Sequence, residues 1–300
     1  MRIFLTGAAG FVGRHLTARL VADGHDVVAT DLAADRAADR GAGVIALDLR
    51  DRAAVIASVA AVRPDVVVHA GAISGPMLAR DDPALMFDVN VAGTLAVVEA
   101  MRRAGAPRLV HFSSNAVYRD RADRQPVDED GAIGKAEPYG ASKVAAEQVV
   151  AAYAAAGGLD AWMLRISSIY GPGRTSPYLI AGLIAAGRAG GAVTLADERG
   201  AMRQFVAVED VVDAVAAAVA TPAGGCVAVN ITGGDYRSEA EIGEIVRTLL
   251  PALRLDVVSG GGEAGDGVIG PLALGRAAQR LGYRPKIGLE DGIARLVAAG

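Results

Sequence analysis

RIFLTGAAGFVG, residues 2–13, combines a short apolar run with three glycines at positions 7, 10 and 13. Because glycine has no Cβ, such a turn lets the backbone approach a pyrophosphate. The helix that begins at the turn directs its N–H groups and its positive dipole toward the same anion. A strand, a glycine turn and a helix in this order indicate dinucleotide binding. We expect the dinucleotide to contact Gly7, Gly10, Phe11, Val12 and Gly13.

The ends of the next predicted strands add further contacts. HDVVATD ends at Asp31, whose carboxylate can accept both ribose hydroxyls of the adenosine and would repel a 2′-phosphate. This favours NAD over NADP, although Arg36 is close enough in sequence to keep NADP open. Asp48 and Leu49 follow the third strand and are expected to bracket the adenine ring. The fourth strand ends in HAGA, so His69, Ala70, Gly71 and Ala72 are placed at the cofactor crevice.

Apolar runs alternate with helical patterns along the first half of the chain. Runs at 2–6, 25–31, 43–48, 64–70, 107–114 and 159–166 are separated by helical segments at 11–22, 51–62, 83–104 and 138–156. This alternation predicts an α/β fold with a doubly wound parallel sheet, the Rossmann architecture. We expect residues 1–166, with 204–231 returning to them, to form an NAD-binding domain. Residues 167–300 are expected to form a smaller, interleaved substrate-binding domain.

Composition narrows the class of protein. The chain has 300 residues, 52% of them hydrophobic, and a net charge of −4 without basic clusters, so a nucleic-acid partner is not expected. No apolar run of about 18 residues is unbroken, so a membrane span is not expected either. The single cysteine, Cys226, cannot form an internal disulfide, which fits a reducing, cytoplasmic location. No His, Cys and carboxylate cluster has the spacing of a metal site, and no metal is predicted.

Tyr139 and Lys143 are four residues apart in a helical segment and therefore lie on one face. A lysine ammonium and a positive nicotinamide ring favour the phenolate, which makes Tyr139 a plausible general base. Lys143 would also hold the nicotinamide ribose. The fifth strand ends at Ser113 and Ser114, on the edge of the sheet where ligands bind.

Several motifs occur together in a fixed order: TGAAGFVG, HAGA, NVAGT, FSSNAVY, YGASK and LRISSIYGPG. In this set the chain resembles the extended short-chain dehydrogenases, the NAD-dependent epimerase/dehydratase group, to about residue 213. The resemblance selects Ser114 over Ser113 as the catalytic hydroxyl, three residues before the Val-Tyr pair. It implies that Asn90, Tyr139, Lys143 and Ile166 also bind NAD. It places the substrate near Ser74, Ser114, Asn115, Ser168, Arg174 and Arg203.

The same resemblance bears on the reaction. Dehydratases of this group have Asp-Glu after the catalytic hydroxyl residue, whereas this chain has Asn115 and Ala116, so dehydration is not expected. Relatives that bind nucleotide sugars hold the diphosphate with arginines and an asparagine. Arg203 matches one arginine, but Ser168 and Glu263 replace the other two partners, and Arg174 would either compensate or face solvent. A free sugar, sugar acid or polyol becomes a competing substrate.

These observations give a leading hypothesis and two alternatives. The leading one is an NAD-dependent sugar epimerase or sugar dehydrogenase that transfers a hydride at a carbinol carbon. The first alternative is an NADP-dependent reductase of a small ketone or aldehyde. The second is a non-catalytic NAD-binding regulator. In the resembling group, helices equivalent to 83–104 and 138–156 pair across a dimer axis, so a homodimer is expected.

Overall fold

A computed structural model describes residues 1–33, 43–75, 79, 81–121, 123–197, 202–259 and 269–299. Within these ranges the strands are β1 (Arg2–Thr6), β2 (Asp26–Asp31), β3 (Ile45–Ala46), β4 (Val66–His69), β5 (Arg108–Ser114), β6 (Asp160–Ile166), β7 (Ser168–Tyr170), β8 (Ala192–Ala196), β9 (Met202–Arg203), β10 (Phe205–Ala207), β11 (Cys226–Ile231), β12 (Arg237–Ser238) and β13 (Arg254–Val258).

The helices of the same ranges are α1 (Phe11–Ala22), α2 (Arg52–Val62), α3 (Pro83–Phe87), α4 (Gly93–Ala104), α5 (Pro138–Gly157), α6 (Leu179–Ala189), α7 (Val208–Ala220), α8 (Glu239–Leu249), α9 (Gly275–Leu281) and α10 (Leu289–Ala298). A π-helical turn, Asp88–Ala92, joins α3 to α4, and a 3₁₀ turn, Asn115–Val117, follows β5.

Seven strands form one parallel sheet in the order β11-β6-β5-β4-β1-β2-β3. From β1 the chain builds outward on one side through β2 and β3, and from β4 on the other side through β5 and β6. The strand order therefore reverses between β1 and β4, whose carboxyl ends border a crevice. This confirms the predicted doubly wound α/β fold.

Helices cover both faces of the sheet because side chains alternate along each strand. Ile3 and Leu5 of β1 are fully buried against the α1 and α7 side, together with Leu16. Phe4, between them, is buried on the other face against α2 and α4, together with Val97. The sheet is thus apolar on both faces, as parallel sheets require.

Helix α5, which carries two of the predicted catalytic residues, begins at a strong start signal. Pro138 occupies the first helical position, where its missing N–H costs nothing. The Glu137 carboxylate caps the helix by accepting from the N–H groups of Tyr139, at 2.9 Å, and Gly140, at 2.5 Å. The cap therefore fixes the first turn of α5, and Tyr139 within it.

Beyond β6 the structure contains six short strands that the sequence pattern did not predict, β7, β8, β9, β10, β12 and β13. Strands β8 and β13 pair in parallel, β9 and β12 pair antiparallel, and β7 pairs with β10. Helices α6, α8 and α10 pack beside them on a separate apolar core that includes Ile180, Leu183, Ile242 and Ile293. Strand β11 then joins the main sheet next to β6, in register from Cys226 with Ala161 to Ile231 with Ile166.

One helical stretch in the described ranges, Pro83–Ala104, is long and apolar enough to span a membrane by length and composition. It comprises α3, the π-helical turn and α4, and 56% of the apolar window is buried inside the protein. Val97, Val98 and Met101 lie in the core between α2 and the sheet. A buried core helix meets the same length and composition criteria.

Candidate active site

The glycine turn between β1 and α1 is sterically required. Gly7 has φ +76°, and a Cβ there would lie 2.6 Å from the backbone nitrogen of Gly71. A Cβ on Gly13 would lie 2.0 Å from the carbonyl oxygen of Gly7. Helix α1 has Gly10 as its N-cap and no side-chain cap, so its first N–H groups remain available to an anion. The turn therefore fits the pyrophosphate of a dinucleotide.

A cleft of about 920 Å³ opens at the carboxyl ends of the strands, beside this turn. All the predicted site residues except His69 and Asn90 line it. They are Gly7, Gly10, Phe11, Val12, Gly13, Asp31, Asp48, Leu49, Ala70, Gly71, Ala72, Ser74, Ser114, Asn115, Tyr139, Lys143, Ile166, Ser168, Arg174 and Arg203. Two residues named from the sequence, Arg36 and Glu263, lie outside the described ranges.

At the adenosine end, Asp31 is held by the backbone. One carboxylate oxygen accepts from Ala9 N at 3.0 Å and the other from Ala33 N at 2.9 Å. Each oxygen keeps acceptor capacity, so the carboxylate fits a pair of ribose hydroxyls. Asp48 is engaged differently, because Arg50 binds both its oxygens at 2.6–3.0 Å and lowers the pKa of the carboxyl group. Arg50 also lines the cleft, and the sequence analysis did not identify it.

His69 lies behind the cleft and does not line it, unlike Ala70, Gly71 and Ala72, which follow it. Its Nδ1 is 2.8 Å from Thr6 Oγ1 and its Nε2 is 3.1 Å from Thr94 Oγ1. Thr6 Oγ1 in turn accepts from Gly71 N at 3.1 Å. Burial lowers the pKa of His69 to about 3, with a smaller contribution from Lys143. His69 is therefore neutral, and it positions the loop that lines the cleft through its contact with Thr6. Its side chain points away from the cleft because adjacent residues on a strand point to opposite faces of the sheet.

Asn90 does not line the cleft either. Its side chain is buried, accepts from Ile73 N at 2.8 Å and donates to Ile73 O at 3.0 Å. It also donates to Ser142 Oγ at 3.0 Å, between Tyr139 and Lys143 on α5. Asn90 therefore ties the loop after β4 to the catalytic helix, and it positions cleft residues rather than facing the cofactor.

The three predicted catalytic side chains meet at the centre of the cleft. Ser114 ends β5, and its Oγ accepts from Ala116 N at 3.1 Å. Tyr139 lies in the first turn of α5, and its interaction with Ser114 favours the phenolate. Lys143 follows one turn later and donates from Nζ to the carbonyl oxygen of Phe112 at 2.9 Å. All three residues are at least nine-tenths buried.

Burial controls the protonation of this group. It raises the pKa of Tyr139 despite Ser114, and the Glu137 charge raises it further. Burial lowers the pKa of Lys143 to about 8, opposed by Glu147.

A buried polar network supports the predicted catalytic residues, and no local sequence pattern predicted it. Glu147, one turn after Lys143, accepts from Ser113 Oγ at 2.5 Å and pairs with Arg165 at 2.7 Å. Arg165 donates to Tyr118 Oη at 3.1 Å, and Tyr118 donates to Asn230 Oδ1 at 2.7 Å. This network locks α5 to β5, β6 and β11. A charged residue inside each apolar pattern was its only signal in the sequence.

The substrate end of the cleft contains two arginines with partners. Arg203 pairs with Glu239, with Nη2 at 2.6 Å and Nε at 3.0 Å from one carboxylate oxygen. Arg174 does not face solvent alone: it donates to Ile169 O and to Ser176 Oγ and stacks on Tyr178, 4.2 Å from the ring centre. In the described ranges, no group of three His, Cys, Asp or Glu residues could hold a metal.

Comparisons with known proteins agree with this geometry. The model of the NAD dependent epimerase/dehydratase family matches residues 3–232. The chain is 33% identical to the UDP-glucose 4-epimerase of Mycolicibacterium smegmatis, over 99% of this chain and 97% of that protein. It is 36% identical to a 3-diazoavenalumate denitrifying reductase of a Streptomyces species, over 76% of this chain and 75% of that protein.

Among solved structures, the UDP-glucose 4-epimerase of Thermus thermophilus in complex with NAD superposes with a TM-score of 0.87. Its sequence identity to this chain is 29%, and the match covers 99% of this chain and 98% of that one.

Proposed function

Because the chain belongs to the NAD-dependent epimerase/dehydratase family, we propose that it transfers a hydride between NAD and a carbinol carbon of a sugar-type substrate, as an epimerase or a dehydrogenase. The observation that carries the proposal is the meeting of Ser114, Tyr139 and Lys143 in one cleft with the glycine turn. These side chains can accept a proton from a substrate hydroxyl and orient its oxygen.

NAD would lie against the glycine turn, with Asp31 at its adenosine ribose and Lys143 at its nicotinamide ribose. When bound, it supplies the hydride acceptor and a positive ring. Tyr139 Oη takes the proton of the reacting hydroxyl, and Ser114 Oγ holds the oxygen that loses it. Burial excludes water from these atoms, which strengthens each of the interactions.

Loss of water from the substrate is not proposed. Such a reaction needs an acid and a base beside the catalytic hydroxyl, and the residues there are Asn115 and Ala116. The Asn115 carboxamide lies 3.4 Å from Ser114 Oγ and does not donate or take up a proton at neutral pH.

A reductase of a carbonyl compound is the second candidate. It is favoured by the pairing of Arg203 with Glu239, because a cleft whose cations have partners suits a substrate without phosphate. The Streptomyces relative, a reductase by name, agrees with it. The position of Asp31 favours NADH over NADPH for such a reaction.

We infer three further properties. Residues 1–166 with 204–231 bind NAD, and 167–300 bind the substrate. The enzyme works in the cytoplasm, since its single cysteine, Cys226, forms no internal disulfide, as is usual in a reducing compartment. It is a homodimer through α3, α4 and α5. Phe87 and Ala84 on α3 are exposed, the former to 39%, and so are Ala92 in the π-helical turn before α4 and Ala152 on α5.

Hydride transfer can be measured with NAD and a panel of free aldoses, uronic acids, polyols and UDP-sugars, by the absorbance of reduced cofactor and by product chromatography. We expect at least one sugar-type compound to react. Tyr139→Phe should lower kcat on that compound about 100-fold or more, because a positioned general base contributes about that much. If the variant kept more than about a tenth of wild-type kcat, with chemistry limiting the rate, Tyr139 would not be the base.

A further inference from the structure

The substrate end of the cleft is rich in hydroxyl groups. It is lined by the serines Ser74, Ser114, Ser167, Ser168 and Ser176, together with Asn115, Arg174 and Arg203. Ser167 is 4% exposed, and its Oγ has no hydrogen-bond partner in the described part of the protein. A buried hydroxyl without a partner costs free energy unless a ligand supplies one. This end of the cleft therefore suits a ligand that carries hydroxyl groups.

Every cation that lines this end in the described ranges already has an acceptor. Arg203 has the Glu239 carboxylate, which balances its charge, whereas Arg174 donates to the neutral acceptors Ile169 O and Ser176 Oγ and keeps its charge. Lys135, which lines the cleft near Tyr139, is paired with Asp120. A phosphate ligand needs donors that are not neutralised by a carboxylate, because binding it would otherwise break an existing ion pair.

The Arg203–Glu239 pair is fixed by the fold. Arg203 lies on β9, which pairs antiparallel with β12 and places Met202 opposite Ser238. Glu239 is the next residue and the first of α8, where a capping box between Ser238 and Glu241 fixes the helix start. The side chains of Arg203 and Glu239 are only 27% and 14% exposed, so water screens their attraction weakly.

We propose that Glu239 determines specificity by withholding Arg203 from phosphate groups, so that the substrate is a hydroxylated molecule without a diphosphate. This rests on the proposed function, since it concerns the substrate of the same cleft. Glu239 does not line the cleft and acts only through Arg203. The Glu239 carboxylate balances the charge of the Arg203 guanidinium, and the serine hydroxyls at this end of the cleft are left to bind the ligand.

The test is isothermal titration of NAD-loaded protein with UDP, for the wild type, Glu239→Gln, Arg203→Met and the double variant. The wild type should bind UDP at the millimolar level or more weakly. Glu239→Gln keeps the shape but removes the competing charge, and it should tighten UDP binding about tenfold or more by charge-assisted hydrogen bonds to Arg203. The double variant should lose this gain. Glu244→Gln, an exposed carboxylate on the same helix, is the matched control and should leave UDP binding unchanged.

Micromolar UDP binding by the wild type would overturn the proposal, as would equal or weaker binding by Glu239→Gln, since Glu239 would then orient Arg203 toward the anion. Arg203→Met provides a readout even if Glu239→Gln does not fold. Its UDP affinity should equal that of the wild type, and a clear loss would mean that Arg203 does serve phosphate. NAD affinity and hydride transfer, measured on the same preparations, report separately on the proposed function.

Discussion

Asp31 holds its carboxylate between two backbone N–H groups, Ala9 N from the glycine turn and Ala33 N from the loop after β2. Two neutral donors fix its orientation without cancelling its charge. The charge therefore remains available to attract ribose hydroxyls and to repel a 2′-phosphate.

We predict that NAD binds at least about tenfold more tightly than NADP, which corresponds to about 1.4 kcal/mol. Asp31→Ala should narrow the difference mainly by weakening NAD, because it removes the ribose acceptor. Fluorescence or calorimetric titration with both dinucleotides checks this. Equal affinities in the wild type would contradict the role of Asp31.

We expect Lys143 to combine two tasks that Tyr139 does not share. Lys143→Met should lower both kcat and NAD affinity, because the ammonium holds the nicotinamide ribose and supports the phenolate. Tyr139→Phe should lower kcat alone. Steady-state kinetics with NAD titrations separates the two variants. An unchanged NAD affinity in Lys143→Met would mean that the side chain serves only the proton transfer.

The contrast between the predicted residues that line the cleft and the residues that no pattern predicted has a physical reason. The glycine turn, Asp31 and the Tyr139–Lys143 pair are local patterns, so their geometry follows from sequence spacing. The partners of Arg203 and Arg165 are 36 and 18 residues away, and only the pairing of strands and helices brings them together. His69 and Asn90 are neighbours of cleft residues in sequence, but their side chains point to the other face.

At the scale of the elements, β4 and β5 place His69 opposite His111 in the sheet, with ring centres 5.4 Å apart. Neither ring nitrogen of His111 has a hydrogen-bond partner in the described part of the chain. Burial lowers the pKa of His69 to about 3 and that of His111 well below its usual value. Both rings are therefore neutral in the folded protein, whereas they take up protons in the unfolded chain below about pH 6.5.

A folded pKa below the unfolded one means that the unfolded state binds more protons between the two values. The free energy of unfolding should therefore decrease as pH falls from about 6.5 toward 3, by about 2 kcal/mol per buried histidine between pH 7 and 5. His111→Leu should remove about half of the combined effect of the two histidines on this pH dependence. At pH 7 its free energy of unfolding should be unchanged or higher, because the substitution removes two buried ring nitrogens without hydrogen-bond partners.

Urea unfolding at pH 7, 6 and 5 measures the effect, with His25→Gln as the control on a less buried ring. A His111→Leu protein with the wild-type pH dependence would show that His111 is protonated in the folded state or is exposed to water.

The elements that sequence patterns predicted share one property. Continuous apolar runs marked β1, β2, β4, β5 and β6 because both faces of those strands are buried. Helix α6 contains two glycines, which weaken its helical pattern. Strands β8 and β13 are only partly buried, so their apolar patterns are weak as well. Strands β8 and β13 form because they pair with each other by backbone hydrogen bonds. They are far apart in the sequence, so no local pattern predicts this pairing.

At the scale of the whole molecule, the outer surface of α5 carries three alanines beside the exposed Gln148. Ala141, Ala145 and Ala152 follow each other at helical spacing, while Tyr139, Lys143 and Glu147 face inward. The same helix therefore has a catalytic face and a face suited to close packing with a second copy.

We predict a homodimer in solution, and a monomer for Ala145→Arg, because a guanidinium in the centre of a close helix interface cannot be accommodated. Sedimentation velocity measures the mass, and Ala156→Arg, exposed near the end of the same helix, is the matched control. NAD affinity verifies that both variants are folded. A monomeric wild type would contradict the prediction.

The edge strand β11 has a consequence for how the protein is made. Its Asn230 accepts from Tyr118 at 2.7 Å, donates to Val127 O at 3.2 Å and to Ala273 O at 3.1 Å, and its backbone N–H reaches Glu129 at 2.8 Å. On the ribosome, the first six strands of the sheet emerge together with Tyr118, Val127 and Glu129, long before Asn230 and Ala273 do. A nascent chain that ends near residue 166 leaves the edge of β6 open, and Tyr118 and Glu129 lack the partners that Asn230 provides. We therefore expect the nascent chain to remain a substrate for chaperones until almost all of it has been synthesised.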